Sequence, residues 1–154
     1  MTQTSIERAF NLHDGFEQNG PGTYVVTTTP FDGIVRLADE TVSVTVRTPM
    51  LSAVVESESV ADVVEDGWFE TLELRLEDAH TVASTDDITS PVIEREGDEA
   101  VLSLDFSGYP DKAADDAMAV VDFVEGTWVQ GIIPGYEYGD PAAGLLSQAR
   151  QSHE

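Results

Sequence analysis

Residues 111–133, DKAADDAMAVVDFVEGTWVQGII, constrain the fold more than any other stretch of the chain. Ala113, Ala117, Val120, Val121, Val124, Trp128 and Ile132 recur at spacings of three and four, which places them along one side of a helix, while Asp111, Asp115, Asp122 and Glu125 fall mainly on the other. A helix of this length with one apolar side needs a sheet or another helix to cover it. The rest of the chain therefore has to supply that surface.

The remaining segments supply it mostly as strands. Residues 41–48, TVSVTVRT, have the cleanest period of two, with Val42, Val44 and Val46 facing one way and Ser43, Thr45 and Arg47 the other. Residues 23–29 are rich in β-branched and aromatic side chains, and residues 34–38 alternate. With short turns between them, these three segments predict an antiparallel meander whose polar face is solvated unless a partner covers it. A Gly97-Asp98 turn joins residues 92–94 to residues 100–106 in a hairpin, with Leu102, Leu104 and Phe106 as its buried set.

The first helix is expected over residues 4–18. Thr4 and Glu7 form a capping-box pair, Ile6, Ala9, Phe10, His13 and Phe16 share a face, and Asn19-Gly20-Pro21-Gly22 stops it. Residues 49–57 read as a further extended segment. In residues 59–79, Ser59 and Asp62 offer a cap, and Val60, Val63, Val64, Phe69, Leu72 and Leu76 offer one apolar side. Leu72, Leu74 and Leu76 alternating with Glu73, Arg75 and Glu77 read equally well as a strand. Leucine and glutamate favour helix, so a helix is expected there, broken near Gly67. Residues 81–91 read as a polar loop, residues 134–141 as irregular chain, and residues 142–148 as a short helix before an end at His153 and Glu154. The expected architecture is α+β: helix, three-stranded antiparallel meander, helix, β-hairpin, long C-terminal helix. Residues 1–140 form a single domain and residues 141–154 a short helix and tail.

Charge narrows the function. Thirty acidic residues against seven basic ones give a net charge of -23, and Lys112 is the sole lysine. The acids are spread along the whole chain among apolar positions. Such a surface suits molar salt, where the Debye length is about 3 Å and self-repulsion is largely screened. Binding to phosphate backbones needs clustered Lys and Arg, so no nucleic-acid partner is expected. There is no cysteine, hence no disulfide, thiolate nucleophile or thiolate metal site. No basic leader precedes an apolar run and no stretch has the length of a membrane span, so a cytoplasmic protein without a membrane partner is expected.

No catalytic residue, metal site or cofactor is expected. Three well-separated histidines, His13, His80 and His153, do not make a zinc site. His13 beside Asp14 reads first as a packed imidazole, and His80 as a cation at a helix C-terminus. No calcium-loop, Walker A, dinucleotide-binding or nucleophile-elbow spacing occurs. The candidate binding residues are Trp128, Ile132, Ile133, Tyr136 and Tyr138, since Trp and Tyr are common interface anchors. The competing reading is that Trp128 and Ile132 finish the core with the tyrosines over its edge.

The order of elements over residues 4–133 resembles the small α+β fold of the type III secretion chaperones and the YbjN-like proteins. The acidic, lysine-poor style, as in VADVVEDGWFETLELRLEDA, is similar to that of uncharacterised halophilic archaeal proteins. The chaperone resemblance implies a non-enzymatic module that holds a segment of a protein partner and forms a homodimer. The alternative is a carboxylate-based, divalent-cation-dependent enzyme or a small-ligand-binding protein.

Overall fold

The computed structural model describes residues 4–56 and 58–152. Its centre is a six-stranded antiparallel sheet in the order β1-β2-β3-β4-β6-β5, built from β1 (Phe16–Gln18), β2 (Thr23–Val26), β3 (Asp32–Ala38), β4 (Thr41–Pro49), β5 (Val92–Glu96) and β6 (Glu99–Phe106). The expected meander is β2-β3-β4, and the expected hairpin is β5-β6, turned at Gly97 with φ +62°. The hairpin joins the meander through β6, which pairs along β4 from Val42–Phe106 to Pro49–Glu99. The α+β class stands, with the two strand groups fused into one sheet.

The helices are α1 (Ser5–Leu12), α2 (Leu51–Val54), α3 (Asp62–Leu76), α4 (Ala113–Gln130) and α5 (Ala142–Ser152). They lie on one face of the sheet. Val42, Val44, Val46 and Thr48 of β4 are buried beneath them together with Ala100, Leu102, Leu104 and Phe106 of β6. α4 carries the apolar side expected of it: Ala113, Ala117, Val120, Val121, Val124 and Trp128 are all buried. Lys112 closes a 3₁₀ turn at Pro110–Lys112 just before it. Ala142 and Leu145 of α5 belong to the same core.

Four expectations about the elements need correction. The first helix stops at Leu12 instead of residue 18, and Phe16–Gln18 forms the edge strand β1. Two close packings impose this: the Phe16 ring lies edge-on to Phe10 at 4.9 Å, and Gly15 passes so near α4 that a Cβ there would overlap Met118 Cε. The start was legible: Thr4 Oγ1 accepts the Glu7 N–H at 3.1 Å, and the Thr4 hydroxyl donates to the Glu7 carboxylate at 3.3 Å. Residues 49–57 are not extended throughout, because Leu51–Val54 turn once as α2, with Leu51 and Val54 pointing into the core; Ser57 lies outside the described residues.

The third correction concerns α3, which runs unbroken through Gly67 and has Ala61 at its N-cap with no side-chain capping bond. Its buried side is Glu65, Trp68, Leu72 and Leu76, whereas Val63 is 78% exposed. Trp68 sets that face, and four-residue spacing through Leu72 and Leu76 carries it onward. The last correction is to residues 81–91. They begin in a 3₁₀ turn, Ala79–Val82, and later pair loosely with β6 through Ile88 and Phe106.

Candidate functional site

The five residues expected to bind do not make one exposed patch. Trp128 is fully buried, its indole N–H donates to the Pro49 carbonyl at 3.0 Å, and its ring meets Phe31 edge-on at 5.1 Å. It offers no surface, since burying both the ring and its only donor is how an indole completes a core. Ile132 and Ile133 are half-buried against that core. Tyr138 donates its hydroxyl to the Ile133 carbonyl and bridges Val55, and Tyr136 lies 6.3 Å from it, edge to face. Burial pushes the Tyr138 phenol above its ordinary pKa; the bond to Ile133 opposes this and Tyr136 adds to it. Two backbone bonds strap the loop to the end of α2: Glu56 N–H to the Glu137 carbonyl at 3.0 Å, and Gly139 N–H to the Val54 carbonyl at 2.8 Å.

A concavity lies elsewhere, between α1 and the start of α4. This open cleft has a volume of about 480 Å³ and is lined by Ser5, Arg8, Ala9, Leu12, His13, Asp111, Ala114 and Asp115. Ala9 and Ala114 form an apolar floor, small enough to leave the space open. Leu12 stands at the rim with 76% of its surface exposed. Arg8 reaches the cleft from α1 and makes no ion pair among the described residues.

His13 is held in a defined state. Its Nδ1 accepts the Gly15 N–H at 3.0 Å, which leaves the proton of the neutral ring on Nε2, facing Asp115 Oδ1 at 3.4 Å. Asp122 lies two turns further along α4. Burial raises its pKa, and the nearby imidazole partly offsets the rise. With one ring nitrogen taken by the backbone and the other turned to a carboxylate, His13 presents no free lone pair to the cleft. His80 sits in the 3₁₀ turn after α3 with Nδ1 buried and without a hydrogen-bond partner, and His153 lies outside the described residues.

Two buried carboxylates were not singled out by sequence, and both serve the fold. Asp116 takes the Ser84 N–H and hydroxyl, each at 2.9 Å, and so pins the loop after α3 to α4. Its position three after Ala113 and four before Val120 was the available signal. Glu65 accepts the Ser52 N–H at the start of α2 at 2.9 Å and pairs with Arg95 at 3.4 Å. Among the described residues no group of three or more histidines and carboxylates is arranged to hold a metal ion, and no helix is long and apolar enough to cross a membrane.

A protein-family model matches residues 11–148, from the last turn of α1 into α5. The chain belongs to DUF5813, a family of unknown function. The DUF5813 match takes in the whole sheet, the α1–α4 cleft from Leu12 onward, and the strapped tyrosine loop; Ser5, Arg8 and Ala9 precede it. Comparison with the curated proteins gives no match, and comparison with the solved structures gives none.

Proposed function

We propose that this protein is a non-enzymatic protein-binding module, chaperone-like in holding a short segment of a partner, and that the α1–α4 cleft is where it holds it. The observation that carries this reading is the combination at one concavity of an apolar floor, the exposed Leu12 and an unpaired Arg8. An apolar side chain of a partner would bury Leu12, Ala9 and Ala114, and an acidic group beside it would meet Arg8. Among the described arginines without an ion pair, Arg8 is the one that lines this cleft. The Trp128–Tyr138 region remains in the proposal only through Ile132, Ile133 and Tyr136, whose exposed portions border the strapped loop.

A photo-crosslinking residue placed at position 12 tests the proposal in native lysate at molar salt, with position 74 on the outer side of α3 as the control, since Leu74 is also well exposed. Capture of a discrete partner from position 12 alone, lost on Arg8→Glu, is the expected result. Equal capture from both positions, or none from position 12, counts against it.

We also read the surface as an adaptation to concentrated salt in the cytoplasm of a halophilic archaeon. The support is the net charge of -23 with one lysine. Thermal stability should then rise from low to molar KCl, and a falling dependence removes this explanation of the charge.

A further inference from the structure

We infer that the helix-free face of the sheet is a homodimer interface, with a twofold axis lying over β4 and parallel to it. This surface is separate from the cleft, and the inference does not depend on what the cleft binds.

The registers lay out the face in rows. The middle row runs Val25, Ile34, Thr45, Ser103, Val92 from β2 to β5, where it contains no charge, and continues on the edge strand β1 to Glu17. One flanking row is Thr23, Arg36, Ser43, Asp105, and the other is Asp32, Arg47, Val101, Glu94. On a molecule of charge -23, a five-strand row without a carboxylate is where a second copy can approach with least repulsion.

Among the flanking charges, Arg36 and Asp105 are placed as a twofold requires. Arg36 on β3 and Asp105 on β6 stand at one height on either side of Ser43, two strand spacings or about 10 Å apart. Both are exposed, and neither makes an ion pair among the described residues. Rotation about an axis along β4 keeps height and exchanges sides. It sets Arg36 of each copy over Asp105 of the other, Ile34 over Ser103, and Val25 over Val92, with Thr45 meeting its own counterpart. Val92, 54% exposed in one chain, becomes covered. Arg47 also meets its counterpart near the axis, but each is already neutralised by Glu96 and Glu99 at 3.5 Å. The twist of each sheet away from β4 displaces the outer pairs more than those beside the axis. The Arg36–Asp105 pairs are therefore the ones to test. A foreign acidic partner would meet the repulsion of the surrounding surface without this two-sided match.

Sedimentation equilibrium of the full chain in molar KCl should show a dimer. Arg36→Asp should raise its dissociation constant at least tenfold, and adding Asp105→Arg to that variant should restore it. Because the chain has no cysteine, a single Thr45→Cys gives an independent reading: a short bis-maleimide should link it into covalent dimers, while Leu74→Cys on α3 should not be linked. A monomer at all concentrations up to millimolar overturns the inference. So does a dimer that Arg36→Asp leaves intact, or one in which Leu74→Cys links and Thr45→Cys does not. Circular dichroism of each variant keeps loss of fold from being read as loss of dimer.

Discussion

The two faces of β4 differ in what they ask of the same strand. Val42, Val44 and Val46 are each about 1% exposed beneath α4, while Ser43, Thr45 and Arg47, one residue away in each case, remain half-exposed on the side with no helix. The covered face draws its stability from burial, and Thr48, the hydroxyl that β4 places on it, donates to the Ala100 carbonyl at 3.2 Å. The open face is β-branched, hydroxyl-bearing and uncharged along its middle, which suits a surface that is wet in one chain and covered in an assembly. A sheet with helices on one side only is common in α+β proteins. What distinguishes this one is that, on so acidic a molecule, the middle row of the open face carries no carboxylate from β2 to β5.

The comparison can be broken most forcefully from the covered side. Trp128→Ala should destabilise by about 3–5 kcal/mol, as large aromatic truncations in cores do, and it also strips the Pro49 carbonyl of its donor. Denaturant unfolding would show this as a large fall in midpoint. A smaller paired change sharpens the contrast. Val44→Thr places a hydroxyl in the core and should cost about 1–3 kcal/mol, whereas Thr45→Val, its neighbour on the open face, should change stability of the monomer by no more than about 0.5 kcal/mol. Equal costs would mean that the two faces are not physically distinct.

The smallest effect belongs to Asp122 beside the cleft. Its folded pKa is raised by burial, so its carboxyl favours the fold fully below the unfolded pKa, and that contribution is lost as pH rises through the folded value. At neutral pH the ionised group is therefore a small cost. Asp122→Asn should raise stability there by less than about 0.5 kcal/mol, because the site is largely exposed, and the gain should shrink as pH falls below the carboxylate range. Thermal melts at neutral and acid pH test the sign; a gain that grows toward acid pH would contradict it.

Periodicity made much of this molecule readable in advance. Alternation in 41–48 revealed β4 and its buried valines, the Gly97-Asp98 turn revealed the hairpin, and three-and-four spacing revealed α4 down to Trp128, because each pattern repeats often enough to exclude the other period. β1 and α2 are too short, at three and four residues, to carry any period. α3 was found as a helix, but its face was misplaced, since Val63 is as apolar as any core residue and nothing local says it points outward. The candidate site fared worse. Trp128 and the tyrosines have the chemistry of interface anchors, and only packing revealed that the indole N–H is spent on Pro49 and that the tyrosine loop is strapped to α2.

By itself, then, the sequence determined the α+β class, the meander, the hairpin, the apolar side of α4 and the dispersed negative charge, because all of these are recorded in residue spacing and composition. Tertiary structure alone decided where α1 stops, that β6 docks on β4 to join the two strand groups, and that Asp116 and Glu65 lie inside. It also decided that Arg36 and Asp105, 69 positions apart in number, stand level across one strand. Those are consequences of which surfaces meet, and a contact between distant segments depends on the shape of both partners together.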